Sequence, residues 1–129
     1  MPPVTLALII ANVAVFLLQL AGVPLFQTFA LWPPTQGPSR APDFELWQMV
    51  SYSFLHGGLG HIFFNMFGLY MFGSSIERLF GARFYLGYYF ASVVTAALTH
   101  LVVTAWLGGP PAPVVGASGG IYGLLLAYV

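Results

Sequence analysis

Apolar residues fall in long blocks along this chain rather than in the alternation of a half-buried strand. The first block covers 4–21, has Asn12 and Gln19 as its only strongly polar members, and stops at Gly22-Val23-Pro24. A second covers 61–76 and a third 84–107, the latter with one ionisable residue, His100. A fourth covers 116–129. Blocks of this kind predict membrane-spanning helices, which need roughly 20 residues at about 1.5 Å of rise each. The connector 22–59 holds Trp32-Pro33-Pro34, Gly37-Pro38, Arg40, Asp43 and Glu45, so much of it is non-helical. It is also rich in Leu25, Phe26, Phe29, Phe44, Leu46 and Trp47, which a mere spacer does not need. The expectation is a folded loop lying at the membrane interface. Glu77, Arg78 and Arg83 read as a short charged connection, and the segment from Gly108 to Pro113 as a helix-breaking loop.

Composition agrees with that pattern. The chain is 59% hydrophobic and only 5% charged, where soluble domains carry about 25% charged residues. It cannot cover a surface with polar groups, so its solvent is lipid. There is no lysine; three arginines balance three acids, and the absence of a basic patch excludes nucleic acid as a partner. The absence of cysteine excludes disulfides and thiol chemistry. Met1-Pro2-Pro3 has no positive n-region, so the first block reads as a retained span rather than a cleaved signal. Arg78 and Arg83 place their connection on the cytoplasmic side. The N-terminus is then cytoplasmic, and the long connector and Pro-rich loop face outside. From Ser118 to Val129 a helix rises only about 18 Å, against a hydrocarbon core of about 30 Å. The expectation is therefore one membrane domain over 1–129, C-terminally truncated relative to the working protein.

Two segments carry candidate chemistry. Gly116-Ala117-Ser118-Gly119-Gly120-Ile121-Tyr122-Gly123 follows the proline-rich loop and opens a helix. A serine at a helix start has backbone N–H groups close by that point at a developing oxyanion. Tyr122 shares its face, and Gly119 and Gly123 form a small-residue pair for close helix packing. On spacing alone Ser118 reads equally as a helix N-cap beside that packing face. The second segment places His61 and Asn65 at i and i+4, a stripe continued by Gly68 and Phe72. Two donors on one face could hold a substrate oxygen as it becomes negative, or simply bridge two helices. His56 reads as a loop-stabilising histidine or a base, and His100 as a helix–helix hydrogen-bonding group. No His and carboxylate set has metal spacing, and no cofactor is implied. The Gly116-x-Ser118-x-Gly120 pattern also matches a hydrolase nucleophile elbow, but that fold needs an acid and a histidine after the serine. Only Tyr122 and Tyr128 titrate there, and prolines replace the leading strand.

Together these residues resemble the rhomboid family of intramembrane serine proteases. His61-x3-Asn65 is similar to the family's H-x-x-x-N. Gly73-x3-Glu77-x3-Gly81 is similar to its G-x-x-x-E-x-x-x-G, and Gly116-Ala117-Ser118-Gly119 to its G-x-S-G. The resemblance implies an all-α polytopic transmembrane bundle with four of about six helices present. It implies Ser118 as nucleophile and an oxyanion hole from His61, Asn65 and the backbone of Ala117 and Ser118. Tyr122 would support the catalytic histidine, with Gly116, Gly119 and Gly123 in close packing and Gly73, Glu77, Gly81 and His56 structural. The implied substrates are transmembrane segments of other proteins, reached from a cavity open to the outer face. Two departures stand out. Trp47-Gln48 replaces the Trp-Arg of many members, and the family's catalytic histidine, on the sixth helix, matches none of His56, His61 and His100. The alternatives are an inactive rhomboid-like protein that binds transmembrane clients, and a transporter or channel subunit, for which an internal repeat is missing.

Overall fold

The first helix, α1 (Pro3–Leu20), starts on a proline, which suits a position whose N–H would have no acceptor. The computed structural model describes residues 1–34, 41–108 and 112–129. Gly37, Pro38, Arg40, Gly109, Pro110 and Pro111, singled out above, lie outside the described residues. Helix α1 is inside-out compared with a soluble helix. Thr5, Leu8, Asn12 and Phe16 are buried, with Gln19 half-buried on the same stripe, while Leu6, Ile10, Leu17 and Leu18 are exposed. An outward face of apolar residues, with the polar Thr5, Asn12 and Gln19 turned inward, is what a lipid solvent selects.

The connector folds into three short turns: α2 (Phe26–Phe29), α3 (Gln48–Ser51) and a 3₁₀ turn (Tyr52–Phe54). Gln48, where a Trp-Arg pair would have its arginine, staples the connector. Its Nε2 donates to the carbonyls of Thr28 and Asp43, both at 3.2 Å, and its Oε1 accepts the Trp32 N–H. A neutral amide satisfies three backbone groups here, in a place where a buried guanidinium would need a counter-charge.

Helix α4 (Leu59–Gly68) continues through a π turn (Leu69–Gly73) into α5 (Ser74–Phe80). The π turn has a readable cause. His61, Asn65, Leu69, Gly73 and Glu77 recur at every fourth position. In an α-helix each four-residue step drifts by roughly 40°, so His61 and Glu77 would face nearly opposite ways. A π turn, with i→i+5 bonds, rotates less per residue and brings the line back. Asn65, Leu69, Gly73 and Glu77 are all buried as a result. Gly73 lies on this line because a Cβ there would collide with the Tyr85 hydroxyl.

The charged connection expected around Glu77 and Arg78 is not a loop. Both residues lie in α5, Arg83 lies in α6 (Ala82–Leu107), and Gly81 alone makes the turn at φ +90°. That left-handed backbone conformation strains any residue with a Cβ, which is why the break falls there. The helix through 59–80 thus runs past the 61–76 expected from hydropathy. Helix α7 (Ser118–Tyr128) opens two residues after Gly116. It packs on α6 through glycines: Gly119 against Ala96, Gly120 against the Tyr89 ring and Gly123 against Ser92. The buried centre is formed by Leu69, Ile76, Tyr85, Tyr89, Val93 and Leu124.

The described residues contain no strand, only an isolated antiparallel bridge between Leu31 and Val114. α1 and α6 are long and apolar enough to cross a bilayer, with mean hydropathies of 2.2 and 1.7. Only 22% and 11% of those stretches are buried, so neither is the core helix of a soluble domain. The protein is an all-helical membrane bundle.

Candidate functional site at the start of the fourth long helix

Ser118 is the first residue of α7, and its N-cap is Ala117, with no side-chain cap bond. The helix-cap reading of Ser118 is therefore corrected. Its Oγ points instead at α4 and donates to Asn65 Oδ1 at 3.0 Å. The lead-in explains the direction. Leu31 and Val114 exchange backbone bonds at 3.0 Å, the Gly116 N–H donates to the Tyr52 carbonyl at 3.0 Å, and Gly116 turns the chain at φ +115°. The first N–H groups of α7 have no acceptor within the helix.

Asn65 and His61 complete the cluster. Asn65 Nδ2 donates to the His61 carbonyl at 2.7 Å, which fixes the amide so that Oδ1 faces Ser118. His61 Nδ1 accepts the Gly57 N–H at 3.1 Å. A neutral imidazole with Nδ1 as acceptor carries its proton on Nε2. That Nε2 edge lies over Gly116, where a Cβ would approach it to 2.7 Å. Gly116 is thus required twice, by its positive φ and by the ring above it.

A cleft of about 380 Å³ opens beside these groups, lined by Phe64, Asn65, Gly68, Phe72, Ser118 and Tyr122. Gly68 and Phe72, read from sequence as the continuation of the His61–Asn65 stripe, line this cleft, while Leu69 and Gly73 take the buried line. A second cleft of about 630 Å³ lies between α6 and α7, lined by Ser92, Thr95, Thr99, His100 and Gly123, with Tyr122 bordering both. Tyr122 is 69% exposed, at the rim rather than in the core. Ala117 is fully buried.

The remaining predicted residues lie elsewhere. Glu77 accepts from the Val4 N–H, the Thr5 N–H and Thr5 Oγ at 2.7–2.9 Å, at the opposite end of the 59–80 helix. It caps α1, whose own N-cap, Pro2, makes no side-chain bond. His56 is buried, with its ring centroid 5.0 Å from that of His61. Burial, reinforced by the neighbouring His61, lowers its pKa to about 4. Neither ring nitrogen of His56 reaches a hydrogen-bond partner among the described residues. His100 does not bridge two helices, because its buried Nε2 has no partner among them either. Among the described residues no three of His, Cys, Asp and Glu come together to hold a metal ion.

Sequence reasoning missed Tyr52, which holds the site from behind. Its carbonyl accepts from Gly116, and its hydroxyl donates to the Val93 carbonyl at 2.6 Å and sits against Gly119. Burial raises its pKa to about 12, so it stays a donor. An aromatic residue in an aromatic-rich loop gives no sequence signal for this role.

The comparisons agree with the motifs. A model of the Rhomboid domain matches residues 43–129. The rhomboid protease GluP of Bacillus subtilis is 34% identical over 87 residues, covering 66% of this chain and 16% of that protein. The mitochondrial RHOMBOID-like protein 12 of Arabidopsis thaliana is 29% identical over 95% of this chain and 40% of its own length. The rhomboid protease GlpG of Klebsiella pneumoniae is 29% identical over 95% of this chain and 41% of its own. The chain thus spans less than half the length of each of these relatives. With two thirds of its own residues matched by the Rhomboid domain and three motif clusters folded onto two facing helices, the chain belongs to the rhomboid family.

Proposed function

We propose that this chain carries the nucleophilic half of an intramembrane serine endopeptidase that cleaves transmembrane segments of other membrane proteins. The observation that carries the reading is the 3.0 Å bond from Ser118 Oγ to Asn65 Oδ1, made at the wall of an open cleft. In the proposed reaction Ser118 Oγ attacks the scissile carbonyl and loses its proton to a base. The carbonyl oxygen becomes negative and is held by His61 Nε2–H, the Asn65 amide and the free N–H groups of Ala117 and Ser118. Collapse releases the amine and leaves an acyl-enzyme on Ser118, which water hydrolyses. Tyr122, on the rim one turn after Ser118, would pack against the base.

None of the three histidines suits the role of that base. His61 already accepts the Gly57 N–H on Nδ1, and no histidine accepts a bond from Ser118 among the described residues. The base would be a histidine outside residues 1–129, in the remaining length of a protein of the relatives' size. The active site would open to the outer face, with the N-terminus and the Gly81 turn cytoplasmic, a reading supported by the placement of Arg78 and Arg83.

The test is labelling of the full-length protein, in bilayers, by a fluorophosphonate. Ser118→Ala is expected to abolish labelling and peptide hydrolysis while leaving thermal stability unchanged. Undiminished labelling of that variant would exclude Ser118 as the nucleophile.

A further inference from the structure

Gln19 is the last inward-facing residue of α1, and its side chain makes two bonds to one residue of the connector. Gln19 Oε1 accepts the His56 N–H at 3.1 Å, and Gln19 Nε2 donates to the His56 carbonyl at 3.0 Å. That carbonyl belongs to the peptide unit joining His56 to Gly57. The N–H of the same unit donates to His61 Nδ1 at 3.1 Å. A peptide unit is rigid and planar, and in the trans form its C=O and N–H point opposite ways. Fixing the oxygen end therefore aims the hydrogen end. Gly57 brings no Cβ to resist rotation of the plane, so in the absence of Gln19 the unit is free to turn.

We infer that Gln19 is a positioning residue for His61, acting through the 56–57 peptide. Gln19 fixes the plane, the plane presents the Gly57 N–H, and that N–H makes Nδ1 the acceptor. The ring proton is then on Nε2, the edge that lies over Gly116 beside Ser118. Bonds at both ends of one amide also polarise each other, so the tether sharpens the tautomer as well as the orientation. The neighbouring His56 ring packs edge-on against that of His61, with centroids 5.0 Å apart. This places a determinant of the site on α1, a helix that contributes nothing to the cleft lining. The consequence for catalysis rests on the oxyanion role proposed above for His61; the tether itself does not.

The experiment uses the full-length protein, selectively labelled with ¹⁵N-histidine and compared as wild type and Gln19→Met, a substitution of similar length that removes both bonds. His61→Gln assigns the resonances. In the wild type the His61 signals are expected to report a single tautomer protonated on Nε2. In Gln19→Met they are expected to report a mixture of tautomers, with kcat lowered about tenfold to a hundredfold and KM changed less than about twofold, and with Tm lowered because the His56 N–H and carbonyl lose their partners. A His61 tautomer that stays fixed in the variant overturns the inference, whatever happens to kcat. A tautomer that becomes mixed while kcat holds supports the tether and overturns the oxyanion role of His61 instead. If Gln19→Met does not fold, Gln19→Glu decides by the same spectra. It keeps the acceptor for the His56 N–H and loses the donor to the carbonyl, so the mixture is again expected.

Discussion

Asn65 and Glu77 lie three four-residue steps apart on one line of one helix, and both are buried. Their surroundings differ in how completely the polar atoms are used. At Glu77 both carboxylate oxygens are bonded, one to Val4 and the other twice to Thr5. At Asn65 the amide oxygen holds one hydroxyl, and the His61 Nε2 edge beside it makes no hydrogen bond among the described residues. The first cluster is closed by helix α1, which supplies partners to both oxygens. The second faces a cleft and keeps donors in reserve. A polar group saturated by its own protein stabilises the fold; one with spare bonding capacity beside a cleft is available to a reacting atom.

The difference can be broken from the Glu77 side. Glu77→Ala removes the shared acceptor of two α1 N–H groups and a hydroxyl, and bonds to charged acceptors contribute about 1.5–3 kcal/mol each. Three such bonds amount to at least about 4.5 kcal/mol, so a loss of that order is expected in a thermal or denaturant titration, with activity falling only as the folded fraction falls. A variant that stays stable but loses kcat would move Glu77 into the reaction and erase the contrast.

From the other side the effect is smaller and of another kind. Asn65→Ala is expected to lower kcat about a hundredfold, the size seen when one oxyanion donor is removed, with KM and stability little changed. A raised KM at constant kcat would make Asn65 a binding residue instead. Asn65 Nδ2 is bonded to the His61 carbonyl in this structure, so one amide hydrogen remains for a substrate oxygen.

Much of both clusters was legible in the sequence, for different reasons. Asn65, His61 and Ser118 are polar residues in apolar blocks, and burial in lipid makes such residues conspicuous. Glu77 was legible as structural, but not its partner. Thr5 and Val4 lie seventy residues away and bond largely through backbone N–H groups, which carry no residue signature. The π turn left a trace, an exact four-residue repeat, that hydropathy alone passed over. Ser118 was ambiguous as a cap because the N-terminus of a helix favours serine for two reasons, and only the position of α4 decides which holds. Gln19 was visible as a polar outlier in α1, whereas Tyr52 gave no signal, since its role lies in its backbone carbonyl and its depth.

The smallest effect tests whether the open cluster tolerates charge at its edge. His56 has a pKa of about 4 in the folded protein, against an ordinary 6.5 when exposed in the unfolded chain. The unfolded state therefore binds the extra proton more readily, and stability falls as pH falls. The contribution of a neutral His56 is fully present above about pH 6.5 and is lost progressively as pH drops towards 4. His56→Phe, which fills the same space without a titrating nitrogen, is expected to flatten that part of the stability profile and leave the neutral-pH value nearly unchanged. A profile that keeps its slope in His56→Phe would assign the acid sensitivity to another group. Because His56 stacks edge-on against His61, the same pH interval is where the open cluster should loosen before the Glu77 end does. Hydrogen exchange at the Gly57 amide, measured against that of Thr5 across pH 7 to 4, reads that order directly.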